Sequence, residues 1–190
     1  MFNFSRLAVF SLLVAVGALA ETHTVTFENN CGSGTPQLVQ NGNVLSSGAP
    51  FISNGPLAAA IACGSGTPQL VQNGIVLSSG APFTSNGPLA AAIAFLQTGS
   101  CGQNAEGCTL VETTLQNPTT PGSGSSSDIS LIPPHAFSVA SGFRYENGCD
   151  GTGTDCTDAN CPMAFRNPDD TFAQVACQAN DVNLVITFCE

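Results

Sequence analysis

The chain alternates short apolar runs with clusters of turn residues, a rhythm that predicts strands rather than helices. Residues 22–28 (THTVTFE) alternate cleanly, placing Val25 and Phe27 on one face, and form the expected first strand, ended by Asn29 and Asn30. Next comes a segment written twice: residues 31–62 recur as 63–94, with only Asn43/Ile75 and Ile52/Thr84 differing. Each copy offers a short strand at QLVQ, an Asn-Gly turn, a second strand around Val-Leu, a Gly-Ala-Pro break and the apolar stretch GPLAAAIA. The alanines alone suit a helical turn, but their continuation into Phe95 and Leu96 suits a buried strand, which is the expectation.

Beyond the repeat, residues 109–115 (TLVETTL) predict a strand carrying Glu112, and residues 117–127 (NPTTPGSGSSS) a flexible connector. Residues 128–132 resume β-structure with Ile129 and Leu131 on one face, until Pro133 and Pro134 stop it, and residues 136–139 follow. Residues 142–168 read as loop-rich. The chain closes with two expected strands, 171–177 and 183–189, around a turn at 178–181, with Leu184, Ile186 and Phe188 inward. This pattern predicts an all-β sandwich or barrel.

Stacking repeat folds need about three or more units, so two near-identical copies read as a duplication inside one domain, residues 21–190, with one copy extruded as an insert. Residues 1–20 carry Arg6, an apolar run and the small-residue pattern Ala18-Leu19-Ala20, which predicts a secretory signal peptide. No later segment is apolar for the roughly 18 residues of a membrane helix, so no membrane association is expected after cleavage. All 9 cysteines lie beyond the signal, and removing either copy of the repeat leaves an even set, compatible with a disulfide scaffold in a secreted protein.

Charge narrows the function classes. After residue 20 the chain keeps two basic residues, Arg144 and Arg166, against all 13 acidic ones, which excludes nucleic acid as a partner. An acidic surface is compatible with neutral polysaccharide and also serves solubility. His23 and His135 are the only histidines and lack a third donor, so no metal and no cofactor is expected. No nucleophile-elbow motif occurs.

The order of these features resembles the small form of the thaumatin-like family along the whole segment after the signal. The first strand ending in Asn29-Asn30-Cys31, the run Val76-Leu77-Ser78-Ser79-Gly80 before Pro88, and Leu96-Gln97-Thr98-Gly99-Ser100-Cys101 are similar to that family's opening motifs. Thr109-Leu110-Val111-Glu112, Asp128-Ile129-Ser130-Leu131, Asp169-Asp170-Thr171 and Val185-Ile186-Thr187-Phe188-Cys189 resemble its later strands. The resemblance implies a thaumatin-like β-sandwich, a flattened antiparallel barrel, with a loop-rich region stapled by disulfides. It further implies the pairs Cys31–Cys189, Cys101–Cys108, Cys149–Cys177 and Cys156–Cys161, which leaves Cys63 as an odd thiol available for a disulfide-linked dimer.

The family's acidic cleft is linked to β-1,3-glucan binding and, in some members, to slow endo-glucanase activity. Glu112 and Asp128 match two of its carboxylates and are the candidates for catalysis, while Asp169 or Asp170 resembles the last aspartate; the four form the expected ligand-binding set. Two positions depart from the pattern: no basic residue lies between Ala94 and Thr98, and Pro133 stands where another aspartate is expected. With no tryptophan, and Tyr145 as the one tyrosine, the usual aromatic platforms for sugar are scarce. The resulting expectation is a secreted protein that binds cell-wall β-1,3-glucan, with hydrolysis the lesser reading. The alternative is a non-catalytic effector or antifungal-type factor that keeps only the disulfide scaffold.

Overall fold

A computed structural model describes residues 21–31, 37–40, 43–47 and 67–190, with no α-helix among them. Cys63 and residues 1–20 lie outside the described residues, so the odd thiol and the signal peptide carry no structural account. Among the described residues fourteen strands form two sheets. The smaller sheet has the order β11 (Gly153–Cys156), β10 (Ser141–Glu146), β14 (Asn183–Phe188), β1 (Thr22–Asn29) and β6 (Phe83–Asn86). The larger runs from β12 (Ala164–Phe165) through β9 (Ser125–Ser130), β8 (Leu110–Leu115), β7 (Leu89–Gln97), β4 (Thr67–Gln72) and β5 (Ile75–Ser79) to β2 (Gln37–Gln40) and β3 (Asn43–Ser47). β13 (Val175–Cys177) joins it through β9.

The sheets are mixed rather than purely antiparallel: β1 lies parallel to β14, and β12 parallel to β9. Alternation explains the core between them. Val25, Phe27, Phe143, Tyr145, Leu184, Ile186 and Phe188 point inward from the small sheet and meet Leu70, Leu89, Leu96, Val111, Leu115 and Ile129 of the large one. Phe27 and Phe188 stack at 6.3 Å, and Phe143 meets Tyr145 edge-on at 6.3 Å. A second, smaller cluster of Val71, Phe95, Ala105, Cys108 and Leu110 sits on the outer face of the large sheet, closed by the Cys101–Cys108 loop.

The second copy supplies β4, β5, β6 and most of β7, and three features set it apart from the first. Ile75 is fully buried where the first copy has Asn43, whose amide would be costly there. Phe95 and Leu96, both fully buried, extend β7 beyond the repeat, whereas the first copy runs into Cys63 and Gly64. The Thr84 hydroxyl lies 2.9 Å from that of Thr24, a bond Ile52 could not make. The turn between β4 and β5 has positive φ at Asn73 (51°) and Gly74 (73°), the geometry for which Asn-Gly is selected. From the first copy, β2 and β3 extend the edge of the large sheet, with Val39 and Gln40 parallel to their repeat equivalents Val71 and Gln72.

Elsewhere the structure departs from the sequence expectations. Residues 175–177 and 183–188 do not form a hairpin; β13 pairs with β9 and β14 lies between β1 and β10 in the other sheet. The supposed connector contains the start of β9, because Ser125 and Ser127 are buried serines whose hydroxyls are bonded. The loop-rich stretch hides β10 and β11, where polar Arg144 and Glu146 alternate with buried Phe143 and Tyr145. β6 also falls where only a break is expected. Four disulfides join Cys31 to Cys189, Cys101 to Cys108, Cys149 to Cys177 and Cys156 to Cys161.

Candidate functional site

Strand alternation divides β8 and β9 into two faces. Val111, Thr113, Leu115, Ser127 and Ile129 face the small sheet, where the Thr113 and Ser127 hydroxyls lie 2.7 Å apart. Tyr145 completes this inner link by donating to the Val175 carbonyl at 3.0 Å, with its hydroxyl 3.1 Å from Ser127 Oγ. Burial pushes the Tyr145 hydroxyl up to about 12, so it stays protonated, and being fully buried it cannot serve as a sugar platform.

Glu112 and Asp128 point the other way. They are direct cross-strand partners on β8 and β9, which puts their Cβ atoms about 5 Å apart. Asp128 is 8% exposed and its Oδ1 has no hydrogen-bond partner, whereas Glu112 is half-buried. Burial, followed by the Glu112 charge and a hydrogen bond with Glu112, raises the Asp128 carboxyl from 3.8 to about 7. Asp128 therefore holds its proton through the mildly acidic range. Ile93 is the cross-strand neighbour of Glu112 on the side of the missing arginine, so no cation relieves the pair there. Arg144 is spent on Glu28 at 2.6 and 3.1 Å across the small sheet, and Arg166 on the carbonyls of Ala159 and Cys161.

The other two acidic candidates lie on the turn after β12. Asp170 accepts from the backbone N–H groups of Arg166 and Asn167 at 2.8 and 2.9 Å, bonds that lower its pKa and close the turn. Asp169 is exposed on the same turn. The structure thus brings Glu112 and Asp128 together and gives Asp170 a structural role nearby.

Over 94 residues the chain is 39% identical to thaumatin-like pathogenesis-related protein 2 of Avena sativa, a match covering 48% of this chain and 51% of that protein. The likeness is to a thaumatin-like protein. The chain spans about half the length of this curated relative, and no family model matches it. Together with the two sheets and four disulfides, the likeness describes the architecture as a thaumatin-like β-sandwich.

Around the acidic pair the outer face grades from polar to apolar. On one side lie Thr114, which accepts from Ala91 N at 3.0 Å, and Ser126, which accepts from Gln174 at 3.3 Å. On the other lie Ser130 and its parallel partner Phe165, which meets Phe172 edge-on at 6.0 Å. Phe172 is 61% exposed, an aromatic surface that a search for tryptophan and tyrosine overlooks. Among the described residues no three His, Cys, Asp or Glu side chains gather to hold a metal. His23 is buried, its Nδ1 2.8 Å from the Val182 carbonyl and its Nε2 2.9 Å from Glu21, while Nδ1 of His135 lies 3.0 Å from the Ala105 carbonyl.

Proposed function

We propose that this is a secreted protein that binds cell-wall β-1,3-glucan on the outer face of the large sheet, without cutting it. The observation that carries the reading is the Glu112–Asp128 cross-strand pair, a buried carboxyl that keeps its proton beside a half-buried one. Such a pair offers a donor and several acceptors to neutral hydroxyl groups. The likeness to a thaumatin-like pathogenesis-related protein agrees with the family resemblance from which the glucan expectation comes. The disulfides suit an oxidising compartment.

Placement argues against hydrolysis. Retaining glycosidases hold their carboxyls about 5–5.5 Å apart and inverting ones about 6.5–9.5 Å. Glu112 and Asp128 are direct cross-strand partners that stand side by side on one face rather than facing each other across a cleft, so they do not flank a glycosidic bond from opposite sides. The test is sedimentation with insoluble β-1,3-glucan at pH 5: wild type is retained, and Glu112→Gln combined with Asp128→Asn is released. Equal retention of both proteins, or none for wild type, rejects the reading. Laminarin incubated with wild type should yield no new reducing ends.

A further inference from the structure

We propose that Phe172 is the stacking residue for the apolar face of the sugar ring, so that the site reads an oligosaccharide rather than a single unit. This inference rests on the glucan-binding reading above. A lone exposed phenylalanine is ordinary on a protein surface; here three observations make it a built feature.

First, the ring is braced. Phe165 meets it edge-to-face, with centroids 6.0 Å apart and planes at 85°, the favourable arrangement for an aromatic pair. Second, its backbone is anchored on both sides. Asp170, two residues before, is tied down by its bonds to Arg166 N and Asn167 N, and its own N–H donates to the Asn167 carbonyl at 3.0 Å. Ala173, one residue after, is fully buried. A side chain that is exposed yet held loses little freedom on binding, which favours affinity.

Third, its position is continuous with the acidic pair. Phe165 is the parallel register partner of Ser130, so the two share a face, and Ser130 shares that face with Asp128 two residues earlier. Strand rise and spacing put the Asp128 and Phe165 backbones about 8 Å apart, with the Phe172 ring against that of Phe165. Carboxyls at one end and an aromatic plane at the other match a chain of neutral sugars, each with polar edges and a C–H-rich face. Asp170 is then a positioning residue, acting through Phe172 rather than on the ligand.

The experiment measures binding of laminarihexaose and glucose, alongside retention on insoluble β-1,3-glucan, for wild type, Phe172→Ala and Phe172→Trp. Phe172→Ala should weaken hexaose binding at least tenfold with no change in thermal midpoint, Phe172→Trp should bind as well as wild type or better, and glucose should bind none of the three measurably. Hexaose binding by Phe172→Ala equal to wild type overturns the stacking role while the glucan reading stands. Failure of wild type to bind either hexaose or the insoluble glucan removes that reading, and the stacking role with it.

Discussion

Replacing Asp128 by asparagine should make the protein more stable at neutral pH, although it removes a buried side chain that faces a partner. In the folded state burial pushes the carboxyl up to about 7, against 3.8 for a free aspartate, so the native protein holds this proton more tightly than the unfolded chain does. Between pH 4 and pH 7 the native state then binds more protons, and the stability that this proton provides is lost as pH rises through that window. At about 1.4 kcal/mol per pKa unit the full shift corresponds to about 4 kcal/mol. Allowing for the part of the shift that comes from the neighbouring Glu112 and for the unmade bonds of the new amide, Asp128→Asn should gain about 2 kcal/mol over wild type at pH 8. Below pH 4 it should gain nothing.

Urea unfolding with disulfides intact, at unit steps from pH 4 to pH 8, gives this difference directly, because the other titrating groups cancel between the two proteins. Glu112→Gln removes the charge and the carboxylate hydrogen bond but leaves the burial, so it should narrow the window without abolishing it. A wild-type minus Asp128→Asn difference that stays constant across the range, or that favours wild type increasingly as pH rises, refutes the raised Asp128 carboxyl.

The burial of Ile75 predicts the effect of giving the second copy the first copy's residue at that position: Ile75→Asn buries an amide in the core and should cost about 3 kcal/mol, read as a lowered urea midpoint. Tyr145→Phe should cost about 1 kcal/mol, read by the same unfolding assay, by removing the hydroxyl that links the sheets through Val175 and Ser127. Alkylation of the oxidised protein followed by peptide mapping should label one cysteine, Cys63, and find Cys31 bonded to Cys189; a bond from Cys63 to Cys189 with Cys31 labelled contradicts the placement.

The sequence pattern made the strands with clean alternation legible. Val25 and Phe27 in β1, and Leu184, Ile186 and Phe188 in β14, needed only a period of two. Missed segments owe their burial to hydrogen bonds or to polar outer faces. Ser125 and Ser127 read as linker because serine signals a turn, yet each is buried with its hydroxyl bonded, to Gln116 N and to Thr113. β10 looked like a loop because Gly142, Arg144 and Glu146 occupy its outer face; its alternation was present, but outweighed by the glycines that follow. The partner of a strand is harder to read than the strand itself: nothing local to residues 175–177 and 183–188 says that they enter different sheets.

At the site, the resemblance carried Glu112 and Asp128, and their pairing is a matter of register, which a sequence does not print. Phe172 was invisible for a different reason. Its meaning comes from Phe165 and Ser130 lying next to it, and a phenylalanine inside a polar turn looks incidental until β12 is seen against β9.

The central claim is that the outer face of the large sheet holds the glucan, and a titration of isotope-labelled protein with laminarihexaose, followed by amide chemical shifts, locates the ligand directly. The shifts should concentrate on Glu112, Thr114, Ser126, Asp128 and Ser130 and on residues 163–173, with the outer face of the small sheet around Arg144 and Glu28 unmoved. Shifts centred on the small sheet, or none at saturating hexaose, contradict the account.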